Sequence, residues 1–578
     1  MNFSKGIKFL LLTLVLVTLA SCGGKGSSET SALTGWKFND LDGGAGSNYK
    51  GQPTPPGMVL VEGGAFTMGS VQDDVLFDWN TTPNKMQVRS FYMDEAEVTN
   101  REYRLFVQWM EQVYPPNNEN YKHIYESVLP DTLVWRQPLS NLEILTETYF
   151  RHPSYNDYPV VGVSWVQANA YCKWRTDMVN EKILMDKGIL NPLFEQDSLK
   201  VEGKNHFDTE VYLLDPTRLF DGDSTIYKKG LPDLRAKAKT KKRGSSRGSR
   251  KSRSSRGSRG RGKGFTGRHV KVEDGILTQK FRLPSEVEWE FAAKALVENR
   301  EYNTLKGRKK FSWNGKYTRS NDKRSVGDER ANFKISKGNY SGLPGWSDDG
   351  SDIPMKVKSY KPNALGLYDM TGNVAEWVAD VYRPIIDSDA SDFNYFRGNT
   401  YAKRMIDEEG KVVIIDENTI QYDTLDNGKI VAKDMPGTVK YIPITKSDAF
   451  MRDNYEKSYN VDSKDGDIQS TRKFGFEEDE EEDGMDNKPR MYNSPIVPKE
   501  IGESGYRRQM YDTKVRTTLI SDKTRVYKGG SWRDRAYWLD PAQRRYLPQY
   551  MATDYIGFRC ATDRLGPMSD KKREAYHH

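Results

Sequence analysis

Three stretches of the chain place apolar residues at helical spacing behind the same polar signature. Thr99-x-x-Glu102, Ser164-x-x-Gln167 and Ser285-x-x-Glu288 are capping boxes, in which a hydroxyl and a carboxylate or amide satisfy each other's orphan N–H donors. Behind the first, Tyr103, Phe106, Val107 and Met110 recur at i, i+3, i+4 and i+7, which predicts a helix with one buried face. Ala168, Tyr171 and Cys172 follow the second box, Val287 and Phe291 the third, and these aromatics read as core. Strand patterns are shorter. Met58–Val61 and Ala65–Gly69 flank a Gly63-Gly64 turn, and the weak alternation of Gln87–Met93 predicts one further strand. Pro362–Asp380 (PNALGLYDMTGNVAEWVAD) suits neither element, because Asn363, Gly366, Asp369, Gly372 and Asn373 interrupt its apolar positions.

At the N-terminus, Lys5 and Lys8 precede a twelve-residue run, Phe9–Ala20, that is apolar except for two threonines. A run of that length cannot span about 30 Å of hydrocarbon as a helix. A basic start, a short apolar core and small residues predict a secretory signal, residues 1–21. Leu19-Ala20-Ser21-Cys22 reads as a lipobox, with Cys22 the acylated first residue of the mature chain. Several acyl chains, at about 0.8 kcal/mol per buried CH2, would anchor it firmly. No second apolar run follows, so the expectation is a protein anchored to a membrane without spanning it. Residues 22–56, rich in Gly, Ser, Thr and Pro, read as a flexible tether.

Charge changes the picture in one place. The net charge is +7, but Arg235–Lys263 alone carries fourteen Lys and Arg and no acid, leaving the remainder at −7. Arg235–Gly264 is too polar to bury a core and reads as a disordered basic loop. Such a segment could hold single-stranded nucleic acid, but an exported chain rarely meets any, and no nucleic-acid partner is expected. Glu477–Asp483 is a run of seven acids. Cys172 and Cys560 are too few for a disulfide framework and read as buried thiols, with one bridge left open. Residues 57–567 are read as one domain carrying insertions, followed by a polar tail, 568–578. The longest insertion, 402–523, is the segment expected to carry binding function.

One constellation carries chemistry. Asp369, Gly372, Val374 and Glu376 could bring two carboxylates and two backbone carbonyls to one turn, an oxygen-only set suited to Ca2+. The same residues could form a buried turn in which Asp369 and Asn373 satisfy backbone N–H groups. The spacing is not that of an EF-hand.

Ordered blocks along the chain are similar to the formylglycine-generating enzyme (sulfatase-modifying factor) family. They are MVLVEGGAFTMGS (Met58–Ser70), FYMDEAEVTNREYRLF (Phe91–Phe106), YPVVGVSWVQANAYCKW (Tyr158–Trp174), FRLPSEVEWEFAA (Phe281–Ala293), the Pro362–Asp380 stretch, RVYKGGSW (Arg525–Trp532) and GFRCA (Gly557–Ala561). The resemblance implies an α+β fold of the formylglycine-generating-enzyme/C-type-lectin-like kind, with little regular secondary structure and long insertions. Carried over residue by residue, Asp369, Gly372, Val374 and Glu376 match one family Ca2+ site. A second would use Asn332, the carbonyl of Phe333 and a later carboxylate at Asp349. Active members bind Cu(I) through cysteines three and eight residues after the serine of G-G-S. Here those positions are Asp534 and Leu539, and soft Cu(I) needs thiolates. The resemblance therefore implies a pseudoenzyme without copper.

Two stretches, RHPSYNDYPVVGVSW (Arg151–Trp165) and MRDNYEKSYNVDSKDGDIQSTR (Met451–Arg472), resemble the gliding-motility lipoproteins of the GldK/PorK group, with the GldJ group as the alternative. That resemblance implies an outer-membrane lipoprotein on the periplasmic face. It would form a homo-oligomeric ring with a GldN/PorN-type partner among other components of the type IX secretion machinery. An active sulfatase oxidase is the enzyme alternative, and the missing cysteine pair argues against it. A lectin-like binding module is compatible with the fold, but no sugar site is marked.

Overall fold

A computed structural model describes residues 52–70, 80–138, 140–191, 203, 205–231, 267–296, 309–335, 342–343, 346–347, 352–384, 395–398, 400–425, 427–445, 448, 499–501, 507–509 and 520–566. Cys22, Asp349, the basic loop 235–264 and the acidic run 477–483 lie outside those residues. The chain divides into two compact units. The smaller comprises Met1–Gln52, Ile183–Pro192 and Ser224–Leu277. In it, antiparallel bridges join Leu190 to Tyr227 and Leu231 to Arg268, and Arg268 pairs bidentately with Asp274 at 2.5 and 2.7 Å. Everything below concerns the larger unit, Pro53–Lys182, Leu193–Asp223 and Thr278–His578.

In chain order its principal elements begin with β1 (Met58–Val61), β2 (Gly64–Met68), β3 (Asn84–Val88) and β4 (Phe91–Asp94). Helices α1 (Asn100–Val113), α2 (Lys122–Val128), α3 (Trp165–Asp186, whose last residues belong to the smaller unit) and α4 (Thr209–Leu214) follow. Then come β5 (Phe281–Arg282), α5 (Glu286–Lys294) and β6 (Ala375–Val381). The insertion contributes β7 (Ala402–Arg404), β8 (Tyr422–Thr424), β9 (Ile430–Ala432) and β10 (Tyr441–Pro443). The chain closes with β11 (Thr524–Lys528), β12 (Arg545–Pro548), β13 (Ile556–Gly557) and β14 (Ala561–Asp563).

Two four-stranded sheets organise the unit, in the orders β1-β4-β14-β5 and β12-β11-β6-β13. The first is antiparallel throughout, while in the second β13 lies parallel to β6. The first therefore joins strands from opposite ends of the chain, and the second joins β6 to strands that begin only at Thr524.

All three capping boxes form. In α1 the Thr99 hydroxyl accepts from Glu102 N and the Glu102 carboxylate accepts from Thr99 N. The Ser164/Gln167 and Ser285/Glu288 pairs repeat the arrangement at α3 and α5. The expected face of α1 is buried: Tyr103 stacks on Tyr171 of α3 with ring centroids 5.7 Å apart, and Phe106 meets the same ring edge-on.

Two expectations are corrected. Gln87–Met93 is not one strand, because the chain breaks at Arg89-Ser90 and passes from partner β2 to partner β1. The Ser90 hydroxyl accepts from Gly63 N at 3.0 Å, which pins the break. Pro362–Asp380 is irregular only in its first part. From Ala375 it is β6, a central strand with neighbours on both sides. Burial of both faces removes the polar-apolar alternation that would have announced it.

The described part of the insertion folds against the scaffold. Tyr114 OH at the end of α1 donates to the Pro436 carbonyl at 3.0 Å, and Asn427 Nδ2 donates to the Tyr550 carbonyl at 3.1 Å. On another insertion, Arg218 Nη1 donates to the Val412 carbonyl and Glu210 takes hydrogen bonds from Arg404 and Tyr441. These inserted segments thus support one another.

Candidate functional site

The turn that leads into β6 positions the expected oxygen ligands. Asp369 and Asn373 both hold left-handed backbone, at φ 55° and 60°. Gly372, at φ 83°, allows close approach: a Cβ there would lie 2.6 Å from the Asn332 carbonyl oxygen. Gly372 N donates to the Gly529 carbonyl, Asn373 N to the Asn332 carbonyl and Trp532 N to the Asn373 carbonyl, all at 2.8–2.9 Å. The turn, the G-G-S segment and the Asn332 segment are therefore locked together.

Glu376 is the first surprise. Its carboxylate is fully buried and paired bidentately with Arg559, Oε1 to Nη2 at 2.6 Å and Oε2 to Nε at 2.7 Å. Trp289 Nε1 donates to the same Oε2 at 2.8 Å. Glu97, not singled out in the sequence, reaches the same turn and accepts from Asn373 Nδ2 (2.7 Å) and Val374 N (3.2 Å). Burial, reinforced by Asp369 and Glu376, pushes the Glu97 carboxyl well above the usual range. Burial likewise raises Asp369 to about 6, while Lys358 N donates to its Oδ2 at 2.7 Å and opposes the shift. Three buried carboxylates thus share one guanidinium.

Do these residues fit a hard cation? Among the described residues, no three His, Cys, Asp or Glu side chains converge as a ligand set, so carbonyls would have to contribute. A carboxylate offers about four lone-pair positions, and Arg559 with Trp289 fills three of them on Glu376. One remains, on Oε1. The surplus negative charge around Arg559 favours a cation, so the Asp369–Glu376 set fits with Glu376 giving a single oxygen. The Asn332 set fits for a different reason: Asn332 is completely buried, its Nδ2 donates to the Ile353 carbonyl at 2.9 Å, and its Oδ1 has no hydrogen-bond partner. Phe333 beside it is buried.

The two positions that the resemblance aligns with copper-binding cysteines hold different chemistry. Asp534 pairs bidentately with Arg545 at 2.6 and 2.7 Å and accepts from Ser531 Oγ at 2.6 Å. The Arg545 guanidinium lies 4.7 Å from the ring centroids of both Tyr527 and Trp538, a doubly flanked cation. Leu539 is wholly buried in an apolar cluster with Phe311, Ala331 and Phe333. A Cβ on Gly530 would lie 2.8 Å from the Trp538 carbonyl oxygen, which explains the second glycine of G-G-S. Neither position presents a soft ligand.

Under this turn, α5 carries further charge into the core. Glu286 pairs with Arg544 at 2.6 and 3.0 Å, and Lys528 Nζ bridges Glu286 (3.3 Å) and Glu290 (2.9 Å). Lys294 holds the other Glu290 oxygen at 2.6 Å, and these cations pull the Glu290 carboxyl down to about 2 against its burial. Cys172 and Cys560 are both buried, with Sγ atoms 3.3 Å apart. Glu97, Trp289, Arg545 and Arg559 carry no local sequence signal for these roles, because their partners are distant in the chain.

Comparison with known proteins follows the same lines. The Bos taurus formylglycine-generating enzyme is 26% identical over 182 residues, 28% of this chain and 47% of that protein. The Streptomyces coelicolor formylglycine-generating enzyme is 32% identical over 119 residues, 20% of this chain and 32% of that protein. An inactive Cα-formylglycine-generating enzyme 2 of Bos taurus is 29% identical over 140 residues, 20% of this chain and 43% of that protein. The chain thus spans less than half the length of these relatives. Among solved structures, PvdO from Pseudomonas aeruginosa aligns at a TM-score of 0.32 and 13% identity, over 88% of this chain and 94% of that one. The model of the sulfatase-modifying factor enzyme 1-like domain matches residues 46–418, and the chain belongs to that family.

Proposed function

We propose that this chain is a non-catalytic member of the family, a lipoprotein anchored through Cys22 to the periplasmic face of the outer membrane. There it serves as a structural ring component of the type IX secretion and gliding-motility machinery. The observation that carries the non-catalytic part is the content of the two copper positions. A thiolate pair would be replaced by an Asp534 carboxylate already neutralised by Arg545 and by a buried Leu539 methyl surface. Cu(I) is soft and binds thiolates, so neither residue can hold it or deliver oxygen chemistry. The inactive bovine relative provides a precedent for loss of activity on this scaffold.

The assembly part rests on the lipobox, on the Arg151–Trp165 and Met451–Arg472 stretches, and on insertions that fold against the scaffold and against one another. A GldN/PorN-type protein is the partner, and further copies of the chain complete a homo-oligomeric ring. Calcium has a structural part in this reading. Asp369, Gly372, Val374 and Glu376 would hold one ion in competition with Arg559, and Asn332 with the Phe333 carbonyl and Asp349 a second.

Two measurements test the proposal. Purified protein loaded with copper and given a cysteine-containing sulfatase peptide and oxygen should yield no aldehyde; aldehyde that survives Cys172→Ser and Cys560→Ser would overturn the non-catalytic reading. Affinity purification of the intact lipoprotein from membranes should recover a ring-sized assembly. Cys22→Ala should release the protein from the membrane fraction, and unchanged membrane association of that variant would refute the anchor.

A further inference from the structure

The described insertion and the scaffold enclose a cleft of about 700 Å³ that belongs to neither the calcium turn nor the copper positions. Its size is in the usual range for a ligand site. One side is the loop Leu129–Asp131 with the first turns of α3, and Tyr550–Ala552 close one end. The other side is β9 and the segment that follows it, to Tyr441. Apolar atoms of Leu129, Val166, Ala170, Val431, Met435 and Val439 line most of it.

Two features give the cleft specificity. The first is the edge of β9. The β8–β9 hairpin pairs Tyr422 with Ala432, Asp423 with Val431 and Thr424 with Ile430. Lys433 N donates to the Gln421 carbonyl and Leu425 N to the Lys429 carbonyl. Because hydrogen-bonded and non-hydrogen-bonded pairs alternate in an antiparallel ladder, Asp423/Val431 is a bonded pair. Ile430 and Ala432 therefore direct their N–H and C=O groups away from β8. Helix α2 packs against β9, and among the described residues no strand pairs with that outer edge, so its outward N–H and C=O groups have no ladder partner.

The second feature is Lys429, which lines the same cleft. Its Nζ donates to the Leu129 carbonyl at 3.2 Å and has no carboxylate within ion-pair distance among the described residues. An ammonium has three donors, so two are left on a cation that burial already disfavours. Burial lowers the Lys429 ammonium's affinity for its proton, and Asp131 and Glu126, which line the same cleft without forming an ion pair with it, oppose that shift. A carboxylate brought into the cleft would supply the missing charge-assisted bonds.

The geometry points to a docking site for an extended segment of a partner protein, which adds as a strand to the outer edge of β9, packs apolar side chains into the cleft and presents a carboxylate to Lys429. Main-chain bonds from Ile430 and Ala432 would give affinity, and the cleft walls and Lys429 would give selectivity. This rests on the assembly reading above and names the surface through which a partner is held.

The probe is a labelled synthetic hexapeptide of alternating valine and threonine with a free C-terminal carboxylate, titrated against the full-length protein by fluorescence anisotropy. Saturable binding is expected, with slowed amide exchange at Ile430 and Ala432. Amidating the peptide C-terminus, or Lys429→Met, should each weaken binding about tenfold or more, the size of one lost charge-assisted hydrogen bond. Ile430→Pro, which removes an outward N–H that the hairpin does not use, should abolish binding while leaving the melting temperature close to that of the parent. If that variant unfolds, amide exchange and Lys429→Met on the parent fold still decide. No binding, binding indifferent to both Lys429 and the carboxylate, or protection elsewhere than β9 would overturn the inference. A protein that binds the peptide but forms no ring would instead refute the assembly reading, because the titration does not require a ring.

Discussion

Replacing Arg559 by methionine is the most direct perturbation of the turn that precedes β6. The substitution keeps an unbranched side chain and removes the charge. Arg559 is completely buried, and besides Glu376 it donates to the Asp94 carbonyl at 3.2 Å and the Tyr368 carbonyl at 2.8 Å. Removing one partner of a buried ion pair costs about 3–5 kcal/mol, because the other charge is left without compensation. Glu97 and Asp369 lie against the same turn, but burial favours their neutral forms, so the charge left without compensation is chiefly that of Glu376. Trp289 Nε1 would remain as a donor to Glu376, and one neutral donor offsets only about 1 kcal/mol. The expected loss is therefore within that range. Urea denaturation monitored by tryptophan fluorescence should show a lowered midpoint with an unchanged slope, the signature of altered stability. The double variant Arg559→Met/Glu376→Gln removes both charges and should recover a substantial part of the loss. A single variant that loses less than about 1 kcal/mol, or a double variant as unstable as the single one, would refute the assignment of Arg559 as the counter-ion.

Chelation should lower the melting temperature of the parent, since an ion bound only to the folded state adds about 2.7 kcal/mol at a hundredfold excess over Kd. Asn332→Ala should reduce that response, and identical melting with and without chelator in the parent would remove calcium from the account. Asp177 on α3 is raised to about 8 by burial and by the nearby Asp208, while Thr209 N donates to its Oδ1 at 2.9 Å. A carboxyl raised in the folded state favours folding below its unfolded pKa and loses that contribution as pH climbs through the folded value. Stability should thus decline between about pH 4 and pH 8, and Asp177→Asn should flatten that decline; an unchanged profile would contradict it. Burial also pushes the Cys560 thiol well up, so neither thiol should react with a thiol reagent in the folded protein. Unfolding should expose both to labelling, whereas silence after denaturation, reversed by a reductant, would reveal a bridge across the 3.3 Å gap.

What the sequence determined by itself was local or strongly patterned. The capping boxes at Thr99, Ser164 and Ser285 fixed the starts of three helices, because each box is a contact between residues three apart. The family blocks supplied the family, and the segment after G-G-S showed by itself that it carries no cysteine at Asp534 or Leu539. Tertiary structure decided what those residues became. It set Asp534 against Arg545 and Glu376 against Arg559, pairs separated by 11 and 183 positions. It brought Glu97 to Asn373 across 276 positions. It also made Ala375–Val381 a central strand, where burial on both faces erases the alternation on which strand recognition depends. The cleft beside β9 was equally invisible, since its two sides come from segments about three hundred residues apart, and only folding brings Lys429 to the Leu129 carbonyl. Charge pairing and sheet order are long-range outcomes of packing, and no periodicity in a linear chain encodes which distant partner a buried charge will meet.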